Sequence, residues 1–256
     1  MHKHWFGGLS GIDTLNGTDF TVISDRGFAV RAKVTRDGDM LQSIETITIS
    51  NLDDLAARNN TGFLVDSEGL VLMPDGSILV SFEQRHRVVR YEPPRTVEFD
   101  IDFIPDTEEI AENGGFEALA IHPDGRLFAI PEGSFLSRQT SFPVYVRGPD
   151  GWQISGNIPA SNGFLPVGAD FDDLGRLYVL ERSITFLGLQ SRVRRFDVSE
   201  MPFAEETLFV SPTGAYGNLE GIAVWRNDTR LFMTMVSDNN FQSAQKQHIV
   251  EYLLTD

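Results

Sequence analysis

The sequence predicts an all-β fold, a β-propeller of four-stranded blades, and three observations lead to this prediction. A short apolar phrase opened by an acidic residue or serine recurs at positions 10, 68, 117 and 220, with a weaker copy at 167–170. A turn follows each phrase, and a second apolar strand follows the turn. Repeats spaced by about 50 residues are typical of propeller blades, whereas a β-sandwich has many short strands without this period.

The turns between the first two strands of each repeat support the same alignment. Met73-Pro74-Asp75-Gly76 and His122-Pro123-Asp124-Gly125 lie at equal offsets, and Asp172-Asp173-Leu174-Gly175 is a variant. Asp-Gly supplies the positive-φ residue that a tight hairpin requires. The second strands are therefore predicted at 20–23, 77–82, 127–130, 177–180 and 231–236.

The outer strands of the blades follow in the same order. Third strands are predicted at 88–91, 144–146, 193–196 and 249–252, and fourth strands at 45–49, 98–103, 152–158 and 207–210. The last repeat has no fourth strand after Leu254, so we expect His4-Trp5-Phe6 to supply it and close the ring. Five repeats are countable, a sixth blade could precede them, and 1–256 is predicted to be one domain. Only 53–58 and 106–111 are expected to be briefly helical.

Composition narrows the classes of function. The chain has 21 basic and 37 acidic residues, a net charge of −16, which argues against nucleic acid as a partner because phosphate backbones need a basic surface. There is no cysteine, so thiolate catalysis and sulfur-ligated zinc are excluded. No apolar run approaches the roughly 20 residues of a transmembrane helix. We expect a monomer.

Acidic residues are predicted to gather at one rim of the propeller. Ser10 and Asp25, Glu68 and Glu83, and Glu117 and Glu132 are each 15 residues apart. Because the first two strands of a blade are antiparallel, both members of such a pair lie at the same rim. Clustered carboxylates must hold protons or bind cations, and hard oxygen ligands suit calcium. The predicted metal ligands are Asp25, Glu68, Glu83, Glu117, Glu132, Glu181, Glu220 and Asp238, with Asp170 as a further candidate.

An alternative is that several of these acids cap backbone amides at strand ends. If the rim is a site, Glu117 and Glu220 are the predicted catalytic acids, and His86 is the histidine on the rim that could act as a general base. The long loops 133–142, 182–192 and 239–246 leave the same rim. They and their surroundings carry cations that are predicted to orient an anionic substrate, namely Arg26, Arg138, Arg182 and Lys246.

The motifs also resemble a known family. Phe6-Gly7-Gly8-Leu9-Ser10-Gly11-Ile12 with Ile23-Ser24-Asp25-Arg26-Gly27 is similar to the opening of the bacterial phytase-like family called "esterase-like activity of phytase". Asn218-Leu219-Glu220-Gly221-Ile222-Ala223 and Val236-Ser237-Asp238-Asn239-Asn240-Phe241 resemble its late motifs. The resemblance implies a propeller domain that is usually exported, hence periplasmic or secreted, and linked by name to ester hydrolysis.

Three functions remain open from the sequence. The first is a calcium-dependent hydrolase of carboxylic or phosphoric esters acting on a small anionic or ester substrate. The second is a non-catalytic propeller that binds a ligand or partner and uses ions to stiffen its mouth. The third is a lactonase-like hydrolase, which would need an asymmetric site with a neutral ligand such as Asn218 or Asn162.

Overall fold

The computed structural model describes residues 7–52, 66–83, 86–92, 95–105, 107, 110, 114–133, 139–241 and 245–255. Over these residues the chain forms nineteen β-strands and no helix, so none of the described segments is a helix that could span a bilayer. Each blade is an antiparallel sheet whose strands follow one another in chain order from the axis outward.

The strands are assigned to blades as follows. Blade 1 contains β1 (Leu9–Thr14), β2 (Asp19–Ser24), β3 (Phe28–Asp37) and β4 (Met40–Asn51). Blade 2 contains β5 (Ser67–Leu72), β6 (Ile78–Phe82), β7 (Arg87–Glu92) and β8 (Arg95–Phe103). Blade 3 contains β9 (Ala118–Ile121), β10 (Leu127–Ile130), β11 (Ser141–Gly148) and β12 (Gly151–Pro159). Blade 4 contains β13 (Leu165–Phe171), β14 (Arg176–Thr185), β15 (Gly188–Asp197) and β16 (Ala204–Val210), and blade 5 contains β17 (Asn218–Asn227), β18 (Arg230–Asp238) and β19 (Ile249–Leu254).

The five innermost strands close a ring. β1, β5, β9, β13 and β17 contact one another in this order, and β17 contacts β1. The predicted all-β propeller is therefore confirmed, with five blades. The predicted second, third and fourth strands fall within observed strands, except that the strand predicted at 77–82 begins one residue later, at Ile78, and β3 is a strand that the sequence prediction missed. The proposed closing strand His4-Trp5-Phe6, the segment 53–58 and most of 106–111 lie outside the described residues.

Crowding at the axis explains the glycine in the repeated phrase. A Cβ on Gly69 would lie 2.6 Å from the Cβ of Leu119 in blade 3, and a Cβ on Gly168 would lie 2.4 Å from the backbone oxygen of Glu220 in blade 5. Neighbouring inner strands therefore approach too closely for a side chain at these positions, and the Gly is a packing requirement of the five-membered ring.

Four of the five phrases also contain a β-bulge, and the ladder of blade 3 has none. The register between the first two strands shifts at Ser10 in blade 1, at Val167 in blade 4 and at Glu220 in blade 5, and between Ser67 and Leu70 in blade 2. A bulge places an extra residue in one strand and re-aims its side chain. The residue before the glycine is thereby turned towards the channel, which is how the repeated acids reach the rim.

Apolar side chains fill the space between blades. Phe142 and Ile158 of blade 3 are fully buried against Phe196 of blade 4, in a cluster that both sheets share. Deeper in the channel, Asp170 accepts hydrogen bonds from the backbone amides of Phe171 and, across the blade boundary, Val224 (2.7 and 2.6 Å). Asp170 thus behaves as the backbone cap considered above, and burial with the nearby Asp13 carboxylate raises its pKa.

Gly168→Ala should destabilise the protein by about 1–3 kcal/mol, because the added methyl group would clash with rigid backbone and not with a flexible side chain. Urea unfolding followed by tryptophan fluorescence measures this difference. Gly148→Ala is the matched control, since a Cβ at Gly148 in β11 meets no atom within 4 Å. Equal losses in both variants would contradict the close-approach argument.

Candidate functional site

The acidic mouth consists of two tiers of five positions at the rim where the inner strands begin. The upper tier comes from the ends of the second strands: Asp25, Glu83, Glu132, Arg182 and Asp238. The lower tier comes from the residues preceding the small residue at the axis: Ser10, Glu68, Glu117, Val167 and Glu220. Each upper residue lies beside the start of its own blade's inner strand. Asp25 N, for example, donates to Gly8 O at 2.8 Å and Asp238 pairs with Asn218.

Blade 4 departs from the sequence prediction by one residue. Glu181 was predicted on the rim, but in the register of β14 the rim position belongs to Arg182. Since successive strand residues face opposite sides, Glu181 points into the blade, where it is fully buried between Arg192 Nε (2.7 Å) and Arg194 Nη2 (2.6 Å). The 15-residue spacing applied to Val167 leads to Arg182, so the signal was present in the sequence.

Arg182 neutralises one side of the mouth. Its guanidinium lies 2.5 Å from Glu132 Oε1 and 2.5 Å from Glu220 Oε1, and it donates to Asn218 Oδ1 at 2.7 Å. Burial alone would lower the pKa of Arg182, but the surrounding glutamates raise it above its ordinary value. Arg182 was predicted to bind substrate, which stays a prediction, and its contacts tie blade 4 to blades 3 and 5.

The opposite side of the mouth has carboxylates without such a partner. The side chains of Glu68 and Glu117 are only 8% and 7% exposed, and no described residue donates a hydrogen bond to either carboxylate. One carboxylate oxygen each from Asp66, Glu68 and Glu83 lies within 4.8 Å of the others. Asp66 was missed by the sequence prediction, although it sits opposite Glu83, whose backbone amide donates to Asp66 O at 3.1 Å.

Burial and mutual repulsion shift the acids towards their neutral forms. Burial is the main cause in each case, and it raises the pKa of Glu83 to about 7 and that of Glu220 to about 8. The pKa of Asp25 rises to about 6 through burial and then the charges of Asp238 and Asp66. The pKa values of Glu68 and Glu117 are raised well above the ordinary range by burial and the neighbouring glutamates. The acidic mouth therefore has too little positive charge near neutral pH to balance its carboxylates.

The remaining candidate residues lie around this mouth or outside the described part of the chain. His86 packs its ring edge-on against Phe116, the residue before Glu117, at a centroid distance of 5.5 Å. The guanidinium of Arg26 lies 3.3 Å over the ring centroid of Phe241, and Lys246 is exposed. Arg138 is outside the described residues.

The segment 182–192, predicted as a loop, is instead a hairpin that extends the ladder of β14 and β15 beyond the rim. Ile184 pairs with Leu189, and the turn at Phe186 and Leu187 holds both side chains largely exposed. The loops 133–142 and 239–246 are described only in part.

Fold and site together define a class: a five-bladed propeller with an asymmetric, carboxylate-rich mouth. Within that class the chain belongs to the phytase-like family described as "Esterase-like activity of phytase", whose model matches residues 4–241. The predicted family membership is thereby confirmed. Among curated protein sequences, no significant match to this chain is found.

Solved structures show similar folds. The PQQ-bound aldose sugar dehydrogenase of Streptomyces coelicolor has a TM-score of 0.56 at 16% identity, with 96% of this chain and 94% of that chain covered. A luciferin-regenerating enzyme has a TM-score of 0.52 at 12% identity, covering 98% and 93%. A Bacteroides caccae protein of unknown function has a TM-score of 0.50 at 10% identity, covering 96% and 78%. Likenesses at this identity concern the fold alone.

The stability of the metal-free protein should fall between pH 5 and pH 8. Asp25, Glu83 and Glu220 have folded-state pKa values raised above those of the unfolded chain, so their contribution to stability is lost as pH rises through about 6 to 8. Urea unfolding in chelator at both pH values measures the decrease in the free energy of unfolding. Glu117→Gln should make that decrease smaller by about 1–3 kcal/mol. Glu206→Gln, an exposed acid on β16, is the control and should leave the fall unchanged.

Arg182→Gln should destabilise the protein by about 3 kcal/mol at pH 8, because it leaves the buried Glu132 and Glu220 carboxylates unpaired. The loss should shrink at pH 5, where Glu220 is protonated. Arg126→Gln removes an ion pair with Asp124 whose side chains are 42% and 46% exposed, and it should change the free energy of unfolding by less than about 1 kcal/mol. A pH-independent loss in Arg182→Gln would argue against its neutralising role.

Proposed function

We propose that this protein is a divalent-cation-dependent hydrolase of ester bonds, either carboxylic or phosphoric, with its site at the acidic mouth. The observation that carries the proposal is the pair of buried, unpartnered carboxylates Glu68 and Glu117 beside Asp66 and Glu83. Membership of a family named for esterase-like activity supports the reaction class. The substrate would be a small anionic or ester-bearing molecule.

The residues present fit a hard cation such as calcium. All the donors on the unpartnered side are carboxylate oxygens, with neither sulfur nor imidazole in the described group, and this is the ligand chemistry that calcium prefers. The raised pKa values point the same way, because burial and mutual repulsion of the acids are what a bound cation would relieve. Asp66, Glu68 and Glu83 would hold the ion, with Glu117 at its edge.

A bound divalent cation supplies Lewis-acid polarisation of an ester oxygen and lowers the pKa of water. The chain's own residues would prepare the remainder of the site. Arg182 pairs with Glu132 and Glu220, and its charge also acts on the Glu117 carboxylate, which accepts no hydrogen bond from a described residue. His86 lies next to Phe116 and could act as a general base only if its ring turned towards the mouth.

Substrate orientation is assigned to the cations around the rim. Arg26 and Lys246 would approach an anionic substrate group from above the carboxylates, as would Arg138 if its segment reaches the mouth. The family resemblance leads us to propose a periplasmic or secreted protein, acting as a monomer.

The non-catalytic alternative rests on the Arg182 network. Arg182 links blades 3, 4 and 5 through Glu132, Asn218 and Glu220, so these contacts already cross-link the blades in this half of the mouth. A cation in the other half would cross-link the remaining blades and would need no reaction. The lactonase-like alternative needs a neutral amide among the ligands, and Asn218 lies in the mouth with its oxygen accepting from Arg182.

Hydrolysis of nitrophenyl acetate or nitrophenyl phosphate should require calcium and be lost in chelator. Glu68→Gln should lower kcat/KM by about 10- to 100-fold, because it removes an anionic ligand from the proposed ion site. Glu206→Gln is the control and should retain full activity. A γ-lactone included in the same panel tests the lactonase-like alternative. Calcium binding without turnover of any of these substrates would leave the non-catalytic reading.

Calcium should raise the melting temperature independently of turnover. At a free calcium concentration 100 times Kd, binding adds about 2.7 kcal/mol to the free energy of unfolding. Differential scanning fluorimetry with and without chelator measures the shift, which Asp66→Asn combined with Glu83→Gln should abolish. A calcium shift that survives in this double variant would place the ion elsewhere.

A further inference from the structure

The strongest backbone strain among the described residues lies in the segment that follows β18. Asn240 and Phe241 have φ values of 48° and 52°, two consecutive non-glycine residues in the left-handed region. Asn tolerates this conformation, but a bulky aromatic residue there is an outlier. Such strain persists only where the surrounding structure enforces it, and it concentrates at ligand sites.

Local hydrogen bonds within 238–241 and contacts with Gly8 hold this conformation. The carboxamide oxygen of Asn239 accepts hydrogen bonds from the backbone amides of Gly8 (3.2 Å) and Phe241 (3.1 Å). Asp238 Oδ1 accepts one from Asn240 N at 2.6 Å. The Phe241 ring lies so close to Gly8 that a Cβ there would be 2.5 Å from a ring carbon. The ring is therefore fixed against the backbone next to Asp25.

The ring of Phe241 also contacts Arg26. The guanidinium carbon lies over the ring, 3.3 Å from its centroid, which is a cation–π contact. No described carboxylate lies within ion-pair distance of Arg26, although it directly follows Asp25 of the mouth. A stacked guanidinium keeps its N–H donors at the edge of its plane, where they match a bidentate oxyanion. Phe241 thus contacts a cation that none of the described carboxylates pairs with.

We propose that Arg26, held against the ring of Phe241, forms an oxyanion site at the edge of the acidic mouth and takes the phosphate or carboxylate group of an anionic substrate. This deepens the proposed function and rests on it for the identity of the substrate. Phe241 is a positioning residue, and the strained backbone at 240–241 serves to set its ring under the guanidinium.

The position beside the carboxylates makes the oxyanion site dependent on a cation. Without one, the negative charges of Asp25 and Asp238 oppose an incoming anion. With calcium bound in the mouth, that opposition falls, so calcium and the oxyanion should each increase the affinity of the other by the same factor. Lys246 is exposed and has no aromatic face beneath it among the described contacts, so it provides charge without this orientation.

The test is titration calorimetry of the full chain with methylphosphonate, a non-hydrolysable oxyanion, in calcium and in chelator. Arg26→Gln and Phe241→Leu should each weaken binding by about tenfold or more, which corresponds to the loss of one charge-assisted interaction. Arg26→Lys keeps the charge but lacks the planar group, and should lose about as much. Phe241→Tyr retains the aromatic face and should bind within about twofold of the unmodified protein. Acetate in the same titrations separates a carboxylate site from a phosphate site.

Arg126→Gln is the matched control, because it removes a cation over another aromatic ring, 5.5 Å from the centroid of Phe128 beside the hairpin turn of blade 3, and binding should be unchanged. Melting temperatures confirm that each variant is folded. The proposal is overturned if neither methylphosphonate nor acetate binds with calcium present, if a folded Phe241→Leu binds like the unmodified protein, or if Phe241→Tyr loses as much as Phe241→Leu. Binding as expected without ester turnover would instead overturn the hydrolase proposal and keep the oxyanion site.

Discussion

The close approach of five inner strands around one axis is the constraint on which the rest of the structure depends. At Gly69 and Gly168 there is no room for a Cβ, because the backbone or side chain of the next blade occupies that space. The strand next to the glycine bulges, and the bulged residue turns towards the channel. The same local geometry therefore closes the ring and lines its mouth with whatever residue precedes the glycine.

The charge distribution follows from that geometry. Three of the five lower positions are glutamates and four of the five upper positions are acids, so seven carboxylates face a single guanidinium, that of Arg182. Arg182 pairs with Glu132 and Glu220 and leaves Glu68 and Glu117 buried without a donor. If every carboxylate of the ring had a cationic partner, the ring would serve only to hold the blades together. The one-sided placement of Arg182 leaves a compact anionic corner, and that asymmetry is the physical reason for treating the mouth as a site.

Much of the fold was predictable because strand period, turn chemistry and repeat length all reflect local rules. The missed strand β3 shows that a prediction aligned on the acidic phrase can overlook a strand in a blade that lacks the acid. Its alternating buried residues Val30, Ala32 and Val34 predict a strand on their own, but blade 1 has Ser10 in place of the acid that marks the other repeats. The site was less predictable, because a shift of one residue along a strand moves a side chain from the mouth to the interior of the blade.

Blade 4 and blade 2 illustrate that limit. Glu181 and Arg182 are adjacent in sequence, yet one is buried with Arg192 and Arg194 while the other reaches across the mouth. The acidic pattern of the other blades favours Glu181 at the rim, whereas the 15-residue spacing from Val167 and the observed register of β14 place Arg182 there. Asp66 carries no repeat signal of its own, because its role depends on lying opposite Glu83 across a hairpin.

The seam between blades 5 and 1 connects ring closure to the site. Gly8 and Asn239 join there through a hydrogen bond, and the ion pair of Arg36 with Glu251 spans the same seam further out. Beneath these contacts the two blades share one apolar cluster, with Phe20 of blade 1 and Trp225 of blade 5 among its buried residues. An apolar cavity of about 220 Å³, lined mostly by blade 1, lies beside that cluster. Shared apolar packing and the polar contacts at the mouth therefore close the ring together. Ligands that bind Asp25, Arg26 or Asp238 therefore act on the seam as well, and occupancy of the mouth and integrity of the ring should rise and fall together.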